Sequence, residues 1–323
     1  IMANTNHPWH KLIDTAAVPR SDIAALWKQA GIRDARRADI NLSSLCDSSF
    51  AREAFAAIVT YLFETLQQAP DPDDALNQLE RIASAVPSKP NLYRNLSYFP
   101  PAFALLMLVC TRSQYLTDIV VRDIGVIDYF YDMAFLTRVK THDDYYREVH
   151  HVLQLHQSFE GRMNALRFFK RREFFRIALQ DLSGTVDFWT CVGELSHLAD
   201  AMVKNALDIA MAQLQESYGT PTSAYTVLAM GKLGGGELNY SSDIDLVVLY
   251  EKQGETRGGP SSISYGEFFS KLTEKLIQLI AVATEQGSVF RVDLDLRPWG
   301  NKSDLAHSLE SFYIYWDRYV EHW

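Results

Sequence analysis
The sequence predicts an α+β fold, mostly helical. A large helical domain covers residues 1–216, a small α/β unit 217–300, and the start of a trailing helical region 301–323. Three observations predict it. Apolar residues recur at helical spacing through the first 216 positions, the texture changes at "SYGTPTS" (217–223), and the order afterwards is strand, glycine-rich turn, strand, helix, strand.

In "FAREAFAAIVTYLFETLQQ", Phe55, Ile58, Val59, Leu62, Phe63 and Leu66 fall on one helical face. In "ELSHLADAMVKNALDIAMAQLQE", Leu195, Leu198, Met202, Ala206 and Ile209 do the same. Turn-rich breaks stand at 67–74, 85–91 and 180–185. Past residue 223, "AYTVLAM" and "DIDLVVLY" are short, apolar and partly β-branched, and "SVFRVDLDLR" alternates. Between the last two, Phe269, Leu272, Leu276, Ile280 and Ala283 predict an amphipathic helix. Residues 300–308 read as a loop, and "LESFYIYWDRYVEHW" as the start of another helix.

Bulk properties narrow the function. With 323 residues, 47% hydrophobic and 22% charged, the chain reads as globular, and its net charge of −9 argues against a general binder of nucleic acid or anionic membrane. Cys46, Cys110 and Cys191 lie far apart without a CxxC pair, which fits buried thiols in a reducing, cytoplasmic setting and no structural zinc. The longest apolar runs, such as "PPAFALLMLVC" (100–110), fall short of the ~20 residues that cross a bilayer. No basic segment followed by an apolar one opens the chain, so no signal peptide is expected. An abrupt ending on "DRYVEHW" that still reads as helix leads to the expectation of a piece of something longer.

The chemistry concentrates in "VLAMGKLGGGELNYSSDIDLVVLY" (227–250). A Walker A loop fails, because no GK[ST] closes the turn. A dinucleotide fingerprint fails on glycine spacing, and the acids come too soon, on the next strand. A nucleotidyltransferase pattern fits: a glycine turn offers backbone N–H groups to phosphate, and a strand follows with Asp-x-Asp. Side chains alternate across a strand, so Asp243 and Asp245 share one face while Ile244 and Leu246 bury on the other. Adjacent carboxylates repel unless a cation lies between them, and hard oxygen ligands suit Mg²⁺. Two-metal transfer also asks for a carboxylate from another strand. "FRVDLDLRP" offers it, with Arg291, Asp293, Asp295 and Arg297 on one face and Val292, Leu294 and Leu296 on the other. Asp293 or Asp295 completes the cluster, and a flanking arginine meets phosphate.

These residues resemble the bifunctional glutamine synthetase adenylyltransferase/adenylyl-removing enzymes. The likeness rests on "GKLGGGELNYSSDIDLVVLY", "TRGG" (256–259) and "FRVDLDLRPWG", with "MNALRFFKRREFFRIALQDL" and "LSHLADAMV" upstream. It is specific over about 163–300 and looser before. It implies a polymerase-β-like nucleotidyltransferase unit, and "GGGELNYSSDIDL" resembles the N-terminal, adenylyl-removing unit. The implied reaction is phosphorolysis: phosphate attacks the adenylylated tyrosine of glutamine synthetase, releasing ADP. Asp243, Asp245 and Asp293 would hold Mg²⁺ at a two-metal site. Gly231 and Gly234 would cradle phosphate, Ser241 or Ser242 would donate a hydroxyl, and Lys232 and Arg297 would neutralise charge. The resemblance also implies the PII signal protein as a partner.

Two departures stand out. Asp295 occupies the place of an arginine in the family pattern, and "NKSDLAHS" (301–308) replaces a Gly-Pro-Leu run, which weakens any assignment there, His307 included. Asp293 is preferred over Asp295 as third ligand. The rival readings are forward adenylyl transfer from ATP and a degenerate nucleotide-sensing module, for which Asp295 is the main support. The spacing of His150, His151 and His156 suits no helical metal pair. "RFFKRREFFR" (167–176) reads as a helix with core aromatics and basic residues on a polar face.

Overall fold
A computed structural model describes residues 8–13 and 20–319. By internal packing the chain divides into two compact units. The first takes in the described residues up to Arg138 together with 178–185, and the second takes in 139–177 and 186–319.

The first unit is helical: α1 (Arg20–Gln29), α2 (Ala35–Leu45), α3 (Ser49–Ala56), α4 (Val59–Gln68), α5 (Pro72–Ala85), α6 (Lys89–Tyr98), α7 (Pro100–Arg112), α8 (Gln114–Arg122) and α9 (Met133–Thr137). The breaks are capped as their sequences dictate. Asp71 accepts from the Asp74 N–H ahead of Pro72, and Ser88 accepts from the Asn91 N–H. The single face expected over 50–68 is present, since Phe55, Ile58, Val59, Leu62, Phe63 and Leu66 are all buried. It is carried by two helices, because the chain breaks at Ala57–Ile58 and resumes at Val59. Trp9 stacks on Phe63 at 4.6 Å, which anchors the core of this unit. Among the described residues no single helix is long and apolar enough to cross a membrane.

The second unit contains α10 (His142–Gln154), α11 (Phe159–Ser183) up to Ile177, and α12 (Phe188–Tyr218). Then follow β1 (Gly219–Thr220), β2 (Tyr225–Met230), α13 (Gly231–Gly234), β3 (Ile244–Tyr250), β4 (Arg257–Gly258) and α14 (Tyr265–Ile280). It closes with β5 (Val292–Asp293), β6 (Ala306–Ser308) and α15 (Leu309–Tyr319). The main sheet pairs β2 antiparallel to β3, and β3 parallel to both β5 and β6. The parallel pairing of β3 with β5 requires the crossover that α14 supplies. One core joins α10–α12, α14 and the buried face of β3, with Leu198, Met202, Phe268, Leu272, Ile244 and Leu246 all essentially inaccessible.

The strand-turn-strand-helix-strand order is present, with four local differences. First, α14 ends at Ile280, leaving Ala283 exposed in the following loop. Second, the "FRVDLDLR" strand stops after Asp293, so the shared-face pattern fails beyond Leu294. Leu296 is 54% exposed and Arg297 only 6%. Third, the stretch read as a loop at 300–308 contains β6, whose Ala306 lies opposite Val248. Fourth, the basic residues of α11 do not form a polar face. Arg167, Arg171 and Arg176 are buried, while Phe168 is 41% exposed. Arg167 donates to the carbonyls of Met163 (2.6 Å), Leu279 (3.0 Å), Gly287 (2.7 Å) and Val282. These include acceptors at and just past the end of α14, where helix carbonyls lack intrahelical donors. That contact supplies donors to the carbonyls of Leu279 and Val282 at the end of the helix. Residues 320–323 of the expected C-terminal helix lie outside the described residues.

Candidate nucleotidyl-transfer site
The ladder between β2 and β3 ends with Met230 opposite Asp245. The chain passes from Met230 into α13, a single turn that brings glycine backbone against the carboxylate strand. Gly231 has φ +55°, and a Cβ there would lie 2.4 Å from Oδ2 of Asp245. A Cβ on Gly234 would lie 2.5 Å from the Ala229 carbonyl oxygen. A larger residue at either position would force a neighbour to move, and at Gly231 it would also strain the backbone. Leu233 and Leu238 bury beneath the turn, and the Leu238 N–H donates to Ser196 Oγ at 3.0 Å, tying the turn to α12. Lys232 is exposed.

Asn239 shapes the entry to β3. Its Oδ1 accepts from the Ser241 N–H (3.2 Å) and the Ser242 hydroxyl (2.8 Å), and its carbonyl accepts from the Ser242 N–H (3.2 Å). The Ser241 hydroxyl also reaches Asn239 Oδ1, at 3.4 Å. Asn239 is a residue sequence reasoning missed, although an asparagine ahead of two serines is a turn signal.

Asp243 stands just before β3 and Asp245 on it, with Ile244 and Leu246 buried on the opposite face as the alternation predicts. On the parallel neighbour, Asp293 lies opposite Asp245 and Val292 opposite Ile244. The site thus gathers carboxylates from two strands. Partial burial, then Asp293, then Asp243 push the Asp245 carboxyl above the usual range. Arg291 gives Asp243 a counter-charge: its Nε donates to Asp243 Oδ1, and its Nη2 donates to the Ser241 carbonyl at 2.7 Å. Neither Asp245 nor Asp293 is in an ion pair among the described residues.

Asp295 lies beyond the strand end, with a side chain 69% exposed. Its N–H donates to Asp293 Oδ1 at 2.7 Å, so it buttresses Asp293 through the backbone. Arg297 does not reach the carboxylate face as a free cation. It is buried, and donates from Nη1 to the Leu294 carbonyl (2.8 Å) and from Nε to the Asp304 carbonyl (3.2 Å), folding the loop between β5 and β6. Arg291 is instead the flanking arginine beside the acids.

Among the described residues, no three His, Cys, Asp or Glu side chains converge closely enough to hold a metal ion as they stand. Asp243 is drawn to Arg291 and Asp293 to the Asp295 N–H. The donor set still suits a divalent cation. It consists of hard carboxylate oxygens on adjoining strands, where Asp245 lies opposite Asp293 with no ion-pair partner for either among the described residues. The histidines of α10 lie elsewhere: His150 Nε2 contacts Gln154 at 2.8 Å.

A family model described as glutamate-ammonia ligase adenylyltransferase matches residues 103–323. A bifunctional glutamine synthetase adenylyltransferase/adenylyl-removing enzyme of Brucella suis is 30% identical over 268 residues, covering 82% of this chain and 27% of the relative. One from Burkholderia mallei is 43% identical over 170 residues, covering 48% of this chain and 18% of the relative. The chain therefore spans about a quarter of the length of the first of these relatives.

Proposed function
The chain belongs to the glutamate-ammonia ligase adenylyltransferase family, and from that premise we propose that it carries the adenylyl-removing site. The reaction would be Mg²⁺-dependent phosphorolysis of the adenylylated tyrosine of glutamine synthetase, with ADP released. One observation carries this reading: Asp245 lies opposite Asp293 on adjacent parallel strands, with the Gly231 turn pressed against it and Asp243 alongside. The direction rests on the wording "GGGELNYSSDIDL", which resembles the adenylyl-removing form.

Asp243, Asp245 and Asp293 would hold the cation, which supplies charge neutralisation for the phosphates. The chain's own residues would do the rest. Gly231 lets backbone approach where a side chain would collide, and the first amides of a helical turn have no intrahelical acceptor and are free to meet phosphate oxygens. Lys232, exposed on that turn, adds positive charge. Arg291 is tethered to the Ser241 carbonyl, and its guanidinium would face a phosphate oxygen. Ser241 and Ser242 hold the entry to β3 through Asn239, and one of their hydroxyls would donate to phosphate.

Asp295 was the main support for a degenerate sensor. Its place in the exposed turn leaves the carboxylate pair of β3 and β5 unaltered, and this favours the enzyme reading.

The test incubates adenylylated glutamine synthetase with phosphate, Mg²⁺ and the protein, and follows ADP. ADP is expected, with none from Asp243→Asn/Asp245→Asn. Pyrophosphate formed from ATP and the unmodified synthetase, with no ADP in the first assay, would assign the forward reaction. Full activity in the double variant would sink the site.

A further inference from the structure
β2 is an edge strand. It pairs with β3 on one side and with no strand on the other among the described residues. Exposed edges are normally blunted by a charge, a proline or a bulge. "YTVLAM" (225–230) carries neither charge nor proline, and none of its six residues is buried, whereas β3 is buried at every position but Asp245. A groove of about 300 Å³ runs beside this strand, between Tyr225, Val227 and Leu233 on one side and His142, Asp200 and Lys204 on the other. Asp200 and Lys204 reach it from exposed positions on α12. The strand also leads directly to the site, since Met230 lies opposite Asp245 and is followed by Gly231.

We propose that the free edge of β2, with the groove beside it, seats an extended polypeptide segment of the protein substrate as an added strand, delivering its modified tyrosine to Asp245. The inference rests on the function proposed above and assigns where the protein part of that substrate binds. Strand addition supplies affinity through main-chain hydrogen bonds and leaves specificity to alternate side chains. Here those alternate positions would enter the groove or face solvent. A strand beside β2 lies about two strand spacings, ~10 Å, from β3, a distance that an adenylylated tyrosine side chain bridges from its own backbone. The polar groups along α12 then border the added segment, while the carboxylates act only on the nucleotidyl group.

The test compares two substrates on the full chain: adenylylated glutamine synthetase, and N-acetyl-O-adenylyl-tyrosinamide, which has the scissile bond but no flanking polypeptide. Asp200→Trp and Lys204→Trp fill the groove from exposed positions without touching the carboxylate site. The expected result is a KM for the protein substrate raised about 10-fold or more, with kcat/KM for the small substrate within about 2-fold of wild type. Hydrogen exchange should also slow at residues 225–230 when the adenylylated synthetase binds. Unchanged KM for the protein substrate in both variants, or equal losses on both substrates, would overturn the inference while leaving the site intact. A wild-type protein that releases ADP from neither substrate would instead overturn the proposed function, and this inference with it.

Discussion

Two places in the second unit gather carboxylates, and they are built to opposite ends. Between α10, α11 and α12, Glu148, Glu173 and Glu194 meet Lys140 and Arg176 in closed contacts. Lys140 Nζ lies 2.7 Å from both Glu148 and Glu173, and Arg176 lies 2.9 Å from Glu173 and 2.7 Å from Glu194. Tyr145 completes the set by donating to Glu194 at 3.0 Å. At the sheet, Asp243, Asp245 and Asp293 meet one arginine, Arg291, which reaches only the first of them. The buried cluster answers its charges internally and therefore fixes three helices. The site leaves charge unanswered, and partial burial first, then the neighbouring Asp293 and Asp243, raise the Asp245 carboxyl. A binding site keeps open what a structural network closes.

Removing one member of the closed cluster gives the largest expected effect. Glu194→Ala takes one of the two carboxylates from the Arg176 guanidinium, whose side chain is 0% exposed, and leaves Glu173 alone to answer it; this should cost about 3 kcal/mol of stability in denaturant unfolding. Retention of wild-type stability would show that the cluster is not the closed network described. Next comes Gly231→Ala. A Cβ at φ +55°, 2.4 Å from Asp245 Oδ2, should displace the carboxylate or the turn. ADP release should fall by about 10-fold or more, with a loss of stability of only ~1–3 kcal/mol. The smallest effect on stability is at Asp245 itself. Its folded-state pKa is raised, so the folded state holds that proton more tightly than the unfolded chain does. The associated stability is present in acid and is lost as pH rises through the folded value. Asp245→Asn should therefore hold or slightly raise the melting temperature at neutral pH while abolishing activity. A melting temperature several degrees below wild type would mean that Asp245 supports the fold.

The sequence made β3 and its turn legible because one element carries both signals: strict alternation around Ile244 and Leu246, and four glycines within six residues. The crossover helix was legible from its apolar stripe as far as Ile280, though not in its end. What escaped was short or inverted. Two-residue β5 and three-residue β6 are too brief for alternation to mark their ends, and what confines them is their register against β3. The arginines of α11 escaped because a charged residue is ordinarily read as solvated. Nothing local announces that Arg167 will be buried among carbonyls more than a hundred positions away. Within the site, the acids could be read from spacing, but the allocation of arginines could not. Arg297 looks like a cation on the acid face until its guanidinium is traced to two backbone carbonyls.

One edge of β3 is shared end to end by β5 and β6, and the chain between them, residues 294–305, leaves the sheet and returns. Asp293 is held by its ladder partner Asp245, and Ala306 by Val248, so neither anchor depends on the length of what runs between them. For an evolving lineage the exposed stretch at Asn301 and Lys302, beyond the Asp295 N–H that holds Asp293 and the buried Arg297, is a window in which residues can be added or exchanged without moving a carboxylate of the candidate site. For a protein engineer it marks the place to splice a reporter peptide close to the chemistry while leaving the register of the acids intact.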